Sequence, residues 1–87
     1  MSDLQAEFES CQEEVKQLSS RPSNNDLLTL YATFKQATTG DVQGKRPGML
    51  DVAGRAKYDA WAKLSGSDAD SAMQTYIDKV RELQAAD

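Results

Sequence analysis

Apolar residues recur along this chain at intervals of three and four, in four separate segments, and no segment reads as a strand. Such spacing lines one face of an α-helix, whereas a half-buried strand needs a period of two. In the first segment Leu4, Phe8, Cys11, Val15 and Leu18 share a face. Ser2, with Gln5 three residues on, makes a capping-box start. Pro22 ends the pattern, because proline disfavours helix at the residue before it. Ser23 is then a new N-cap, with Asp26 well placed against the helix dipole. Leu27, Leu30, Tyr31, Phe34 and Ala37 form the second stripe, and Gly40 is its expected stop.

The third helix is predicted from Asp51 or Val52 to about Leu64, with Ala56, Ala60, Trp61 and Leu64 inward. Ser65-Gly66 closes it. Ser67 with Asp70 opens a fourth, whose inward positions are Ala69, Ala72, Met73, Tyr76, Ile77, Val80 and Leu83. From Asp41 to about Leu50 the composition shifts to Gly, Gln, Lys, Arg and Pro. That loop is longer than most bundle connections, and long ordered loops often shape a binding site. The expected fold is all-α: a four-helix bundle with a long loop between helices 2 and 3.

Eighty-seven residues allow one domain, spanning 1–87. A chain of that size hides only roughly 60–65% of its unfolded surface, so a single modest core is the ceiling. The net charge of −4 opposes nucleic acid as a partner, since phosphate-backbone binders need a basic face. The single cysteine, Cys11, rules out an intramolecular disulfide and fits a reducing compartment. The acidic N-terminal stretch does not read as a signal peptide. No apolar run approaches the roughly 20 residues needed to cross a bilayer. The expectation is a soluble, cytoplasmic protein without stable membrane insertion.

The chain contains no histidine, which removes the commonest general base and the commonest neutral metal ligand. It also lacks a phosphate-binding glycine loop and a metal-ligand cluster. Cys11 lies on an apolar face, where it reads as a small buried hydrophobe. Glu7, Glu9, Glu13 and Glu14 sit at spacings typical of a solvated face. The expectation is a protein without catalytic residues, metal or cofactor. Binding is the stronger case. Tyr31 and Lys35 are four apart on the second helix, as are Lys57 and Trp61 on the third, and Tyr76 can approach them. Two ammonium groups beside ring faces and phenolic hydroxyls suit a phosphorylated aromatic ligand. Spacing alone favours the plainer reading, in which core aromatics are edged by lysine stems.

Tyr31 through Asp41, with Lys35-Gln36-Ala37-Thr38 and Gly40-Asp41, resembles the signature of the acyl-CoA-binding protein family. Arg46-Pro47-Gly48-Met49-Leu50-Asp51, Lys57-Tyr58-Asp59-Ala60-Trp61 and Ala72-Met73-Gln74-Thr75-Tyr76-Ile77 extend the match in order. So do Ala6-Glu7-Phe8 and Glu14-Val15-Lys16. The resemblance implies a bundle with a shallow bowl that binds medium- to long-chain acyl-coenzyme A. It implies a non-catalytic, monomeric carrier and buffer in the cytoplasm. By position, Tyr31, Lys35 and Lys57 match residues that hold the adenosine 3′-phosphate. Phe34 stands where a ring stacks on adenine, and Tyr76 where a tyrosine lies near the thioester and head group. Lys16 and Leu28 match further ligand-contacting positions.

The chain departs from the family pattern at three places. Phe34 replaces a usual tyrosine, Tyr58 a usual tryptophan, and Val52-Ala53 a usual aromatic-lysine pair. The lost lysine implies weaker head-group electrostatics or a shifted chain-length preference. Two alternatives stand beside the carrier reading. One is a small helical interaction module with a lapsed ligand site, and the other, weaker, is an esterase acting on the bound thioester.

Overall fold

The computed structural model describes residues 3–87. It contains four α-helices: α1 (Leu4–Glu14), α2 (Asn24–Thr38), α3 (Val52–Ala62) and α4 (Ala69–Ala86). Val15–Gln17 add one turn of 3-10 helix after α1, and no strand occurs among the described residues. The expected all-α, four-helix architecture is therefore what forms.

Caps explain most of the boundaries. At α2 the Ser23 hydroxyl accepts from the Asp26 amide at 3.1 Å, as its sequence predicts. At the other end the Thr39 and Gly40 amides both donate to the Lys35 carbonyl, and Gly40 takes φ +97°. That left-handed turn suits glycine and stops the helix. Asp51 caps α3 through the Gly54 amide at 3.0 Å. A β-carbon at Gly54 would collide with the Asp51 carboxylate, so a bare backbone there is the condition for the cap.

Three expectations need correction, and a fourth lies outside the described residues. The α1 helix ends at Glu14, the 3-10 turn carries the chain to Gln17, and Leu18 is extended rather than helical. The predicted Ser2–Gln5 cap falls on Ser2, outside the described residues; Asp3 occupies the N-cap of α1 without a side-chain bond. The α3 helix stops at Ala62, and Leu64 lies in the following turn. The α4 N-cap is Asp68, accepting from Ser71 at 2.6 Å, not Ser67, and Ala69 faces solvent.

Helix α2 packs against both α4 and α3, and α4 also against α1. The helices therefore follow one another as α3, α2, α4, α1 rather than closing into a ring. The molecule is correspondingly flat, 39 × 31 × 15 Å, with a radius of gyration of 13.3 Å. A compact chain of this length would have about 12 Å. The core lies where α1, α2 and α4 meet, built from Phe8, Cys11, Leu30, Met73, Tyr76, Ile77 and Val80. Phe8 and Tyr76 cross edge to face, with centroids 5.1 Å apart. Such a pair adds about 0.5–1.5 kcal/mol beyond its buried area.

Helix α3 sits outside that core and is held by polar ties to the long loop. The Trp61 indole N–H donates to the Gly40 carbonyl at 2.8 Å, and the Tyr58 hydroxyl to the Gly44 carbonyl at 3.1 Å. Arg46 forms a bidentate pair with Asp59, at 2.9 and 2.7 Å. The buried Gln36 amide bridges the Asp41 carboxylate and the Ser67 carbonyl, at 2.9 and 2.8 Å, locking the end of α2 to the turn before α4.

Candidate functional site

Two hollows flank the N-terminal half of α2, with Leu27 in the wall of both. The first, of about 360 Å³, lies towards α1 and α4. Lys16 and Val15 stand on one side of it, Tyr31 and Phe34 on the other, and Tyr76 also lines it. The second, of about 590 Å³, lies between α2 and α3 and is bordered by Arg21, Leu28, Val52, Ala53, Ala56 and Lys57. Small residues on α3 make this hollow, because alanine leaves the space that a longer side chain would fill.

Of the seven residues singled out in the sequence, Lys16, Tyr31, Phe34 and Tyr76 meet around the first hollow, and Leu28 and Lys57 line the second. Lys35 lines neither. Its ammonium rests over the Trp61 ring, 5.0 Å from the centroid. The Lys57 ammonium likewise rests over the Tyr31 ring, at 5.5 Å. Spacing within each helix predicts Tyr31 beside Lys35 and Lys57 beside Trp61. The structure instead crosses the pairs, each lysine capping a ring on the opposite helix. Side chains lean along their own helix, but packing α2 against α3 offers each ammonium a closer aromatic face across the interface.

Neither Lys35 nor Lys57 has an ion-pair partner among the described residues. Lys16 differs, since it pairs with Glu13 at 3.3 Å while largely exposed. Such a surface pair contributes little and releases its lysine readily. Phe34 is half-buried, its ring 6.1 Å from Phe8 and tilted by 32°, so it joins the core to the first hollow. Tyr76 is buried, and burial raises its phenol above the ordinary range. It therefore stays a neutral hydroxyl at physiological pH.

Arg21 was not singled out in the sequence. It borders the second hollow and donates to Asn24 at 3.3 Å. Its place immediately before Pro22, at the mouth of α2, is the signal that would have marked it. Cys11 is fully buried, and burial pushes its thiol up and away from the reactive thiolate. No group of metal-ligating side chains gathers among the described residues.

The arrangement offers unpaired ammonium groups over aromatic rings, with apolar hollows on either side. A family model described as acyl CoA binding protein matches residues 5–80. An acyl-CoA-binding protein of Brassica napus is 49% identical over 84 residues, covering 97% of this chain and 91% of that protein. An acyl-CoA-binding protein homolog of Manduca sexta is also 49% identical, covering 95% and 93%. Among solved structures, Oryza sativa acyl-CoA-binding protein 2 superposes with a TM-score of 0.91 at 43% identity, covering 95% of this chain and 90% of that one. The protein from Moniliophthora perniciosa gives 0.88 at 38% identity, covering 99% and 83%.

Proposed function

Because this chain belongs to the acyl-CoA-binding protein family, we propose that it carries and buffers medium- to long-chain acyl-coenzyme A as a non-catalytic cytoplasmic monomer. The observation that carries the reading is the crossed lysine–aromatic pair set between two apolar hollows. A cation over a ring gains about 0.5–2 kcal/mol, the upper end applying to the buried Trp61. A hydrogen bond to a charged group contributes about 1.5–3 kcal/mol. A phosphate arriving at this site therefore wins Lys35 and Lys57 from their rings, and leaves the Tyr31 hydroxyl free to join them. Phe34 offers a ring face to adenine, and Tyr76 a neutral phenol near the thioester.

The acyl chain then takes the apolar surface around Leu27 and Leu28. Each methylene removed from water contributes about 0.8 kcal/mol. Val52, Ala53 and Ala56 widen the α2–α3 hollow, and with Ala53 in place of a lysine the cations on that rim are Arg21 and Lys57. Hydrolysis of the thioester would need a nucleophile or a base. Cys11 is buried and protonated, and histidine is absent.

Titration calorimetry with palmitoyl-CoA, coenzyme A and free palmitate tests the proposal. Tight binding of the thioester, weak binding of coenzyme A and weaker binding of palmitate is the expected order. Similar affinity for all three, or for none, would sink it. Recovery of intact palmitoyl-CoA after long incubation is the expected check against hydrolysis.

A further inference from the structure

Among the described residues, the three most exposed large apolar side chains fall within four positions, where the long loop runs into α3. Leu50 is 100% exposed, Met49 79% and Val52 73%. None is needed to close the core, and a Gly48–Asp51 turn bond of 3.0 Å presents the first two outward. The surrounding charge is opposite to that of the molecule. Residues 45–57 hold four cations, Lys45, Arg46, Arg55 and Lys57, against the one acid Asp51, in a chain whose net charge is −4. Asp59 neutralises Arg46, but Lys45 and Lys57 have no ion-pair partner among the described residues.

From this coincidence we propose that the Met49–Val52 corner is a docking surface for an anionic lipid bilayer. A specific protein partner needs roughly 800 Å² on each side, far more than three side chains supply. A bilayer interface has no such threshold, because each apolar side chain partitions on its own and each nearby lysine adds attraction to anionic headgroups. No helix of the described residues is long and apolar enough to cross a membrane, so the contact is peripheral. Val52 belongs both to this corner and to the wall of the larger hollow. Docking there sets the mouth of that hollow against the lipid surface.

The surface needs no bound ligand, so its test uses the protein alone. Sedimentation with large unilamellar vesicles compares phosphatidylcholine with phosphatidylcholine mixed with phosphatidylglycerol. The protein is expected to partition several-fold better onto the anionic vesicles. The double variant Met49→Ser/Leu50→Ser should lose on the order of tenfold in partitioning, and Lys45→Ala about fivefold. In Leu50→Trp the added indole should shift to shorter emission wavelength only when anionic vesicles are present. Equal partitioning onto both vesicle types, or a double variant that partitions like the parent, overturns the proposal, and an acidic protein as the true partner gives that result. Palmitoyl-CoA titrations without vesicles should be unchanged in all three variants. A failed carrier reading is thereby told apart from a failed docking surface.

Discussion

The α1–α4 seam and the α2–α3 face use the same residue types to opposite ends. Along the seam, charge is matched: Arg81 reaches Glu14 at 2.7 Å and Glu7 at 3.4 Å. Gln84 and Ser10 donate to Glu14 as well, at 2.8 and 2.7 Å. Asp87 accepts from the Ser19 and Ser20 amides, tying the end of α4 to the segment that links the 3-10 turn to α2. Beneath these ties lie Phe8, Tyr76 and Val80. On the α2–α3 face the lysines lack acidic partners, alanines leave space, and hollows remain. A small domain thus concentrates its closure in one seam and leaves the other face with unspent charge and unfilled volume.

The contrast predicts that changes in the seam cost folding and changes on the open face cost binding. The largest effect is expected for Phe8→Ala, about 3–5 kcal/mol lost for a buried aromatic. Against a total of roughly 5–15 kcal/mol, a urea melt should show a strongly lowered midpoint. Lys35→Ala combined with Lys57→Ala should cost about 1–3 kcal/mol in the melt, the two cation–ring contacts, less than Phe8→Ala. The same pair should weaken palmitoyl-CoA binding by roughly 10²-fold or more, at about 1.5–3 kcal/mol for each charged hydrogen bond lost. If the double variant instead unfolds while keeping its affinity, the division of labour is wrong.

Smaller effects probe the borders of the two regions. Gly54→Ala should gain nothing in the parent, because the new β-carbon displaces the Asp51 cap. In an Asp51→Ala background it should stabilise by about 0.5–1 kcal/mol, the ordinary gain of alanine over glycine in a helix. Equal effects in both backgrounds would show that the cap is immaterial. Acid should then single out the seam. Hydrogen bonds from Gln84, Ser10 and Arg81 lower the Glu14 carboxyl from 4.5 to about 2. A carboxyl lowered by folding stabilises the native state above its unfolded pKa, and that contribution fades as pH falls from about 4.5 towards about 2. Glu14→Gln should therefore flatten the stability profile across that window and leave acyl-CoA affinity at neutral pH unchanged.

Much of the seam was legible in the sequence, because a helix stripe is a local pattern and Phe8, Cys11, Met73, Tyr76, Ile77 and Val80 all lie on such stripes. The fourth helix start was ambiguous for a physical reason. Ser67 precedes Asp70, and Asp68 precedes Ser71, by the same three residues, so both offer a cap, and tertiary packing selects Asp68. Thr33 and Gln36 are buried polar residues outside any apolar stripe. Gln36 is held through its amide nitrogen by Asp41 and the distant Ser67 carbonyl, while its buried Oε1 finds no partner among the described residues. On the open face the residue identities were readable but their partners were not. Which ring lies under Lys35 depends on how α2 meets α3, and no spacing within one helix encodes that.

Trp61 is the chain's one tryptophan, buried against α2 with its N–H held by Gly40 and its ring beneath the Lys35 ammonium. An indole so placed is a built-in optical gauge. A positive charge 5.0 Å from the ring centroid biases the excited-state dipole, and an anion that draws Lys35 away removes that bias without unfolding anything. Occupancy of the open face can therefore be followed by native emission colour, with no label attached.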